Sequence, residues 1–294
     1  MNRPRRALAL TLCLALLCAC LPLFAHAEEA RPVLQHYLVL GQDYYSASGV
    51  GSARTDTIMV VSLDSTNNRI IFTSVLRDSK VTTPGGGENK LNTVYRYHGF
   101  EGVRSTIEKH LGIALEGTIV FDFDSIKALI DALGGVDIEI TAAEYGNIYS
   151  ILLGQDPNMP KGPGMAHMTG RIALAYMRDR SSGAGDFTRT EHQRKVLGQL
   201  LAKCSALSIS DLLNVYNALR SGVQTDLSEV QVLQAMQIAY KLLRADAQEV
   251  EYHIPAKRTY SYGELRGSSV LSVNWKRNRI LLDALLYPAQ PASE

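Results

Sequence analysis

Cysteine is nearly missing from most of this chain. Of the four in 294 residues, Cys13, Cys18 and Cys20 fall within the first twenty, and Cys204 stands alone beyond them. That remainder can form neither an internal disulfide nor a cysteine metal site, so Cys204, on a helical pattern, reads as a structural thiol. A charge excess is lacking too. The 30 basic and 29 acidic side chains leave a net charge of +1, so no global basic field points to nucleic acid as a partner. There is no GxxxxGK[ST], so the Gly85-Gly86-Gly87 run is not a phosphate-binding P-loop. The absence of GxSxG and HExxH takes weight from serine-hydrolase and zinc chemistry. No internal repeat and no linker divides the chain. With 46% hydrophobic and 20% charged residues, the composition is that of a globular protein long enough to bury a real core.

The first residues differ from the rest. Arg3, Arg5 and Arg6 precede an apolar run from Ala7 to Ala25, which reaches the small-x-small site Ala25-His26-Ala27 just before Glu28. Residues 1–27 therefore read as a secretory signal. The run is also close to the roughly 17–25 apolar residues of a retained membrane anchor, and Leu17-Cys18-Ala19-Cys20 faintly resembles a lipoprotein box. Each variant places residues 28–294 outside the cytoplasm, because the positive charge stays inside. Without the three arginines of the leading segment the remainder carries a net charge of −2.

Beyond that segment, strands and helices mix. His36–Gly41 and Thr57–Leu63 are short apolar runs typical of buried strands. Asp64–Asn68 is turn chemistry, so Thr57–Leu63 and Arg69–Leu76 make a hairpin. Gly102–Leu111 and Ser125–Leu133 read as helices closed by glycine, and Val136–Ile140 alternates like a strand. Tyr145–Met168, rich in Gly and Pro, reads as a long loop. Arg171–Tyr176 fits a helix or a strand. Thr188–Lys203 is a helix with Thr188 and Glu191 spaced as a capping box. Leu227–Leu243, Val250–Ile254 and Trp275–Leu286 follow as helix, strand and helix. The expected fold is a single α/β domain with a central mixed β-sheet flanked by helices.

The distinctive feature is a set of arginine and aspartate residues at the ends of these elements. Asp43 follows the first strand; Arg54 and Asp56 precede the second; Arg77 and Asp78 end the third. Arg178, Asp179 and Arg180 follow an apolar run, and Asp186, Arg189 and Gln193 open a helix. In extended chain Arg54 and Asp56 point one way, as do Arg178 and Arg180, while Arg189 and Gln193 share a helix face. Guanidinium forks bind phosphate oxygens bidentately, and carboxylates hold Mg²⁺, which bridges to phosphate. Pyrophosphate with Mg²⁺ satisfies both residue types; the alternative is a set of structural ion pairs. The stripe Ile126, Leu129, Ile130 and Leu133 is explained by core packing, and His98, His110 and His192 by surface or satisfied core positions.

In their order, these stretches resemble the LytR-CpsA-Psr family. They are LVLGQD (Leu38–Asp43), ARTDTIMVVSLD (Ala53–Asp64), SVLRDS (Ser74–Ser79), KLNTVYRYHG (Lys90–Gly99), FDFDSIKALIDALGGVDIEI (Phe121–Ile140), ALAYMRDR (Ala173–Arg180) and GDFTRTEHQRKVL (Gly185–Leu197). The likeness covers about Leu38 to Cys204. It implies an extracytoplasmic phosphotransferase, secreted or anchored at the membrane surface. Such an enzyme moves a glycopolymer, such as wall teichoic acid or capsule, from a polyprenyl-pyrophosphate carrier to peptidoglycan. The implied α/β domain encloses a hydrophobic channel for the prenyl tail, lined by some of the aliphatic helix residues. Carried over by position, the resemblance implies that Asp43 and Asp56 hold Mg²⁺. It implies that Arg54, Arg77, Arg178, Arg180 and Arg189 grip the pyrophosphate, with Asp186 and Gln193 lining or bracing the pocket. Tyr45 stands where the family often has an arginine. A polyprenyl-pyrophosphate hydrolase, or a non-catalytic envelope protein that binds lipid-linked glycans, are the rival readings.

Overall fold

The computed structural model describes residues 34–43, 54–183 and 185–288, without the side chains of Asp43, Arg54 and Ser221. The expected signal or anchor over residues 1–27 and the position of Tyr45 lie outside the described residues. Among those described, no helix is long and apolar enough to cross a membrane.

A mixed six-stranded sheet forms the centre. In spatial order its strands are β10 (Gln248–Ile254), β3 (Arg69–Val75), β2 (Arg54–Asp64), β1 (Leu34–Asp43), β6 (Gly117–Phe121) and β9 (Val223–Thr225). The expected hairpin is β2–β3, antiparallel from Asp64↔Arg69 to Met59↔Ser74. Its turn is held by Asp64, which accepts from the Asn67 amide at 3.0 Å and from Arg69 Nε at 3.0 Å. β6 and β10 run parallel to β1 and β3, while β2 and β9 run antiparallel to their neighbours.

The strands read as continuous apolar runs because both sheet faces are covered. Leu38, Leu40, Ile58 and Val60 face α1 (Leu91–Leu111) and α8 (Trp275–Leu286) in one core. The alternate residues Val39, Met59, Val61 and Phe72 face α5 (Asp186–Ala206) and α7 (Glu229–Arg244) in another. A third cluster joins the hairpin β7 (Val136–Ile140)–β8 (Gly164–Met168) to α2 (Phe123–Ala132), α3 (Ala142–Leu152), α4 (Gly170–Arg178) and α5. The architecture is α/β, with helices on both sides of the mixed sheet.

Several local expectations are corrected. Tyr145–Met168 is not a loop throughout. Thr141 and Glu144 form a capping box that starts α3, and the chain returns through residues 153–163 to pair β8 with β7. The prolines fall only in that return, whereas Gly146 lies within α3 and Gly164 opens β8. The helix expected at Gly102 begins at Leu91 and is interrupted at Gly99, where φ is 63°. The helix α5 starts at Asp186 after Gly185 and has no side-chain cap, so Thr188 lies inside its first turn and does not cap it. Arg171–Tyr176 is helical, within α4.

Candidate active site

The site is built at one end of the central sheet. Along β1–β2 the register passes from Gly41 opposite Thr57 to Gln42 opposite Thr55, so Asp56 has no opposite residue. Such a bulge kinks the strand and re-aims its side chains. Gly41 is required there, since a Cβ would lie 2.8 Å from the Thr57 Cβ. Arg77 follows β3 and is fixed on both sides: the Leu76 amide donates to the Ile254 carbonyl at 2.8 Å, and the Arg77 carbonyl accepts from the Asn92 amide at 3.0 Å. Asp186, Arg189 and Gln193 recur at i, i+3 and i+7 on α5 and so share one face of it.

Three arginines converge on two carboxylates. Arg77 Nη1 donates to Asp56 Oδ1 at 2.5 Å and its Nε to Asp186 Oδ2 at 2.9 Å. Arg180 Nη2 donates to Asp56 Oδ2 at 3.3 Å, with its Nε 3.7 Å from Asp186 Oδ1. Arg189 bridges the same pair, its Nη1 3.4 Å from Asp56 Oδ2 and its Nη2 donating to Asp186 Oδ2 at 3.4 Å. Burial pushes the Asp56 carboxyl up, but Arg189, Arg77 and Arg180 together outweigh it and hold it below its usual range. Burial likewise opposes the Arg77 cation, and Asp56 and Asp186 raise it again.

Arg189 is different. It is 2% exposed, and its Nε and Nη1 donate no hydrogen bond among the described residues. Burial and the adjacent Arg77 cation, against the opposing pull of Asp186 and Asp56, bring its pKa down to about 10. It remains charged at neutral pH, a buried cation with donors that nothing among the described residues takes up. A buried cation of this kind is costly unless paired, and a further anion would relieve it.

Arg180 and Arg189 stand at the mouth of a cavity of about 200 Å³. Its length is apolar: Val39 and Met59 from the sheet, Ile126 and Leu129 from α2, Leu174 from α4, Val196 from α5. Asp56, Arg178, Arg180, Arg189 and Gln193 form its charged and polar end. The helical stripe on α2 is thus divided: Ile126 and Leu129 line the cavity, whereas Ile130 is fully buried in the third core cluster. An apolar bore ending in guanidinium groups suits a long hydrocarbon chain with an anionic head.

Of the residues singled out in the sequence, Asp56, Arg77, Arg180, Asp186 and Arg189 meet in one network, with Gln193 beside it. The expectation that Arg178 and Arg180 act as an extended i, i+2 pair is overturned. Arg178 is the last residue of α4, and extended backbone begins only at Asp179, with φ −64° and ψ 132°. Its guanidinium lies over the Phe123 ring, 4.7 Å from the centroid, and it joins none of the ion pairs at the Asp56–Asp186 cluster. Because its contact is a single cation–π stack, worth about 0.5–1 kcal/mol at an exposed site, Arg178→Gln should melt within a few degrees of the parent. Turnover should nevertheless fall severalfold or more; melting curves and rates on the same preparation check this. The side chains of Asp43 and Arg54 lie outside the described residues, but their Cα atoms are register partners at the end of β1–β2, two residues from Asp56.

Among the described residues no group of three or more His, Cys, Asp or Glu is placed to hold a metal ion. The donor chemistry still fits a hard divalent cation. Asp56 supplies carboxylate oxygen at a bulge, the backbone of Asp43 ends β1 beside it, and Mg²⁺ usually takes only one or two carboxylates with water and phosphate. Two histidines take satisfied positions in the protein: His192 is buried, stacked on Tyr176, with Nε2 2.8 Å from Glu144 Oε1, and His110 Nε2 accepts from the Thr82 amide. Cys204 is partly buried, and burial pushes its thiol pKa up. Phe123, Lys90 and Asn92 adjoin the site although the sequence did not mark them as functional. Lys90 and Asn92 flank the start of a helix immediately after a strand, a spacing that offered a signal.

A family model described as the LytR_cpsA_psr family matches residues 31–279. The chain is similar to the polyisoprenyl-teichoic acid–peptidoglycan teichoic acid transferase TagU of Bacillus mycoides, at 30% identity over 230 residues, 77% of this chain and 70% of that protein. It is also 30% identical over 246 residues to the regulatory protein MsrR of Staphylococcus aureus, covering 82% of this chain and 71% of that one. Among solved structures, the LytR-CPS2A-psr family protein YwtF (TagT) with bound octaprenyl pyrophosphate lipid shares the fold, with TM-score 0.66 at 20% identity over 87% of this chain and 91% of that one.

Proposed function

The chain belongs to the LytR_cpsA_psr family, and from that premise we propose that it is a Mg²⁺-dependent phosphotransferase of the cell envelope. It moves a glycopolymer from a polyprenyl-pyrophosphate carrier onto peptidoglycan. The observation that carries this reading is the junction of an apolar bore with a buried, under-paired arginine. Support comes from TagU, named a teichoic acid transferase, and from TagT, whose structure holds octaprenyl pyrophosphate. The leader-like residues 1–27 support an extracytoplasmic, membrane-proximal location.

In this reading Val39, Met59, Ile126, Leu129 and Leu174 bury the prenyl chain. Arg189, Arg180, Arg178 and Arg77 take the pyrophosphate, whose oxygens replace part of the aspartate pairing and fill the idle Arg189 donors. Gln193 lies beside the head group, and Asp186 braces Arg77 and Arg189. Arg54 follows the same strand end and is assigned to the pyrophosphate with them. Asp43 and Asp56 would hold the metal, which when bound polarises the phosphorus and assists the leaving group. The acceptor hydroxyl oxygen bonds to the distal phosphorus and gives up its proton. The phosphoanhydride bond breaks, and its electron pair leaves on polyprenyl phosphate, where the preorganised guanidinium groups neutralise the growing charge.

The test is product analysis with a glycan-bearing polyprenyl-pyrophosphate donor, peptidoglycan oligosaccharide and Mg²⁺. Polyprenyl phosphate and a phosphodiester-linked glycan should appear in equal amounts. Free glycan phosphate without linked product would make water the acceptor and the protein a hydrolase, and donor binding with no turnover would end the enzyme reading. Asp43→Asn should raise the Mg²⁺ needed for half-maximal turnover roughly tenfold or more, at least what losing an outer-shell partner costs.

A further inference from the structure

His192 is a buried titratable group with no part so far in the phosphoryl transfer. It is 1% exposed and lies on α5 between Arg189 and Gln193 in the chain. On an α-helix those two side chains stand about 60° and about 100° around the axis from it. Its ring stacks on Tyr176, with centroids 4.0 Å apart. Nδ1 is 3.1 Å from the Tyr176 carbonyl oxygen, and Nε2 is 2.8 Å from Glu144 Oε1.

Both ring nitrogens therefore face oxygen acceptors. A backbone carbonyl and an ionised carboxylate accept and cannot donate. Neutral imidazole carries one N–H and would turn a lone pair onto the other oxygen, whereas the imidazolium donates to both. Glu144 is poorly placed to supply the missing proton itself, because its Oε2 accepts from the Thr141 amide at 2.6 Å. Burial pushes the Glu144 carboxyl up, but Thr141 and His192 together hold it below its usual range. The other ions nearby are engaged elsewhere. On α5, Arg189 belongs to the Asp56–Asp186 cluster, and Glu191 pairs with Lys195 at 3.0 Å. Asp179, just past α4, accepts from the Ser181 amide at 2.8 Å. β7 turns Val136, Ile138 and Ile140 to this core and leaves Asp137 and Glu139 exposed.

Three helices meet at this ring. Glu144 lies in the first turn of α3, the Tyr176 carbonyl is two residues before Arg178 at the end of α4, and His192 is on α5. Apolar side chains of similar volume would hold the helices together about as firmly, since a buried ion pair seldom adds stability once desolvation is counted. What the charged ring adds is direction. Two bonds to fixed points set the rotation of α5 about its axis, and with it the aim of Arg189 and Gln193.

We propose that His192 is a positioning residue, held as an imidazolium, whose bonds to Glu144 and the Tyr176 carbonyl fix the aim of Arg189 and Gln193 at the pyrophosphate. The inference rests on the phosphotransferase reading and deepens it.

The test uses the whole protein with ¹⁵N-labelled histidine at neutral pH. The NMR signals of His192, assigned through the backbone, should show both ring nitrogens protonated; a ring with one proton overturns the proposal. Saturating inorganic pyrophosphate should shift those signals, and unmoved signals overturn it too. His192→Gln and Glu144→Gln should each weaken pyrophosphate binding and lower kcat roughly ten- to hundredfold, the scale of a misplacement made away from the chemistry. Affinity for an uncharged polyprenol, which uses the bore alone, should stay unchanged. A purely structural ion pair predicts a lower melting temperature with kcat and pyrophosphate affinity per folded molecule intact. That outcome, or a parallel loss of polyprenol affinity, overturns the proposal. Where neither variant folds, the two spectra of the parent decide. If the parent binds pyrophosphate but turns over no donor, the phosphotransferase reading fails on its own, and the spectra and the pyrophosphate affinities still decide the role of His192.

Discussion

Replacing Arg189 by lysine is expected to lower turnover roughly 10²–10³-fold, the usual loss when a donor aimed at developing charge is removed, while the protein stays folded. Lysine keeps the positive charge near Asp56 and Asp186, so neither carboxylate is left without its partner. What it loses is the planar fork, which reaches both carboxylates while its Nε and Nη1 donate no hydrogen bond among the described residues. An ammonium on a flexible stem cannot reproduce that geometry. Arg189→Ala is a poorer probe, because removing one partner of a buried ion pair costs about 3–5 kcal/mol of stability. The double variant Arg77→Lys with Arg189→Lys should be less than additive in free energy, since both residues act on one group. A structural ion-pair cluster predicts the reverse pattern: a lower melting temperature, with turnover per folded molecule unchanged. Melting and rate measurements on the lysine variant decide between them, and a stable, fully active protein would remove Arg189 from the pyrophosphate clamp.

A tryptophan at Leu129 is expected to weaken binding of a long-chain polyprenyl pyrophosphate by roughly 10²–10³-fold. Leu129 lines the bore from α2 and is only partly buried, so the larger ring enters existing space instead of compressing a filled core. If it excludes four or five chain carbons, at about 0.8 kcal/mol per buried methylene, the loss is about 3–4 kcal/mol, which is that change in affinity. A pyrophosphate with a single short prenyl group ends before the obstruction and should bind equally to both proteins. Fluorescence titration with the two lipids measures the contrast. Equal affinity of the parent and the variant for the long chain would mean that the bore does not hold the lipid.

The parts of the fold legible in the sequence are those whose signal is local. The β2–β3 hairpin follows from two apolar runs around Asp64–Asn68, and α8 begins at Trp275, where Asn274 accepts from the Arg277 amide. The unread parts depend on partners elsewhere. β8 is a strand because β7 pairs with it. The helix α6 (Ile209–Leu219) buries none of its residues, so it offered no clear buried face. Arg178 was misplaced for a related reason: Arg171–Tyr176, just before it, fits either strand or helix, and only packing against α2 and α5 made α4 helical.

The sequence by itself determined which chemistry gathers at the ends of these elements, arginine with aspartate, and which faces are apolar, because residue identity and periodicity are local properties. It also carried the family pattern. The tertiary structure alone decided how those groups are shared. It buried Arg189 between Asp56 and Asp186 while turning Arg178 onto Phe123. It assigned Ile126 and Leu129 to the bore and Ile130 to the core. A helical stripe specifies a face and not the neighbour it meets, and a charge specifies its sign and not its burial. Both are settled only when distant segments close around them.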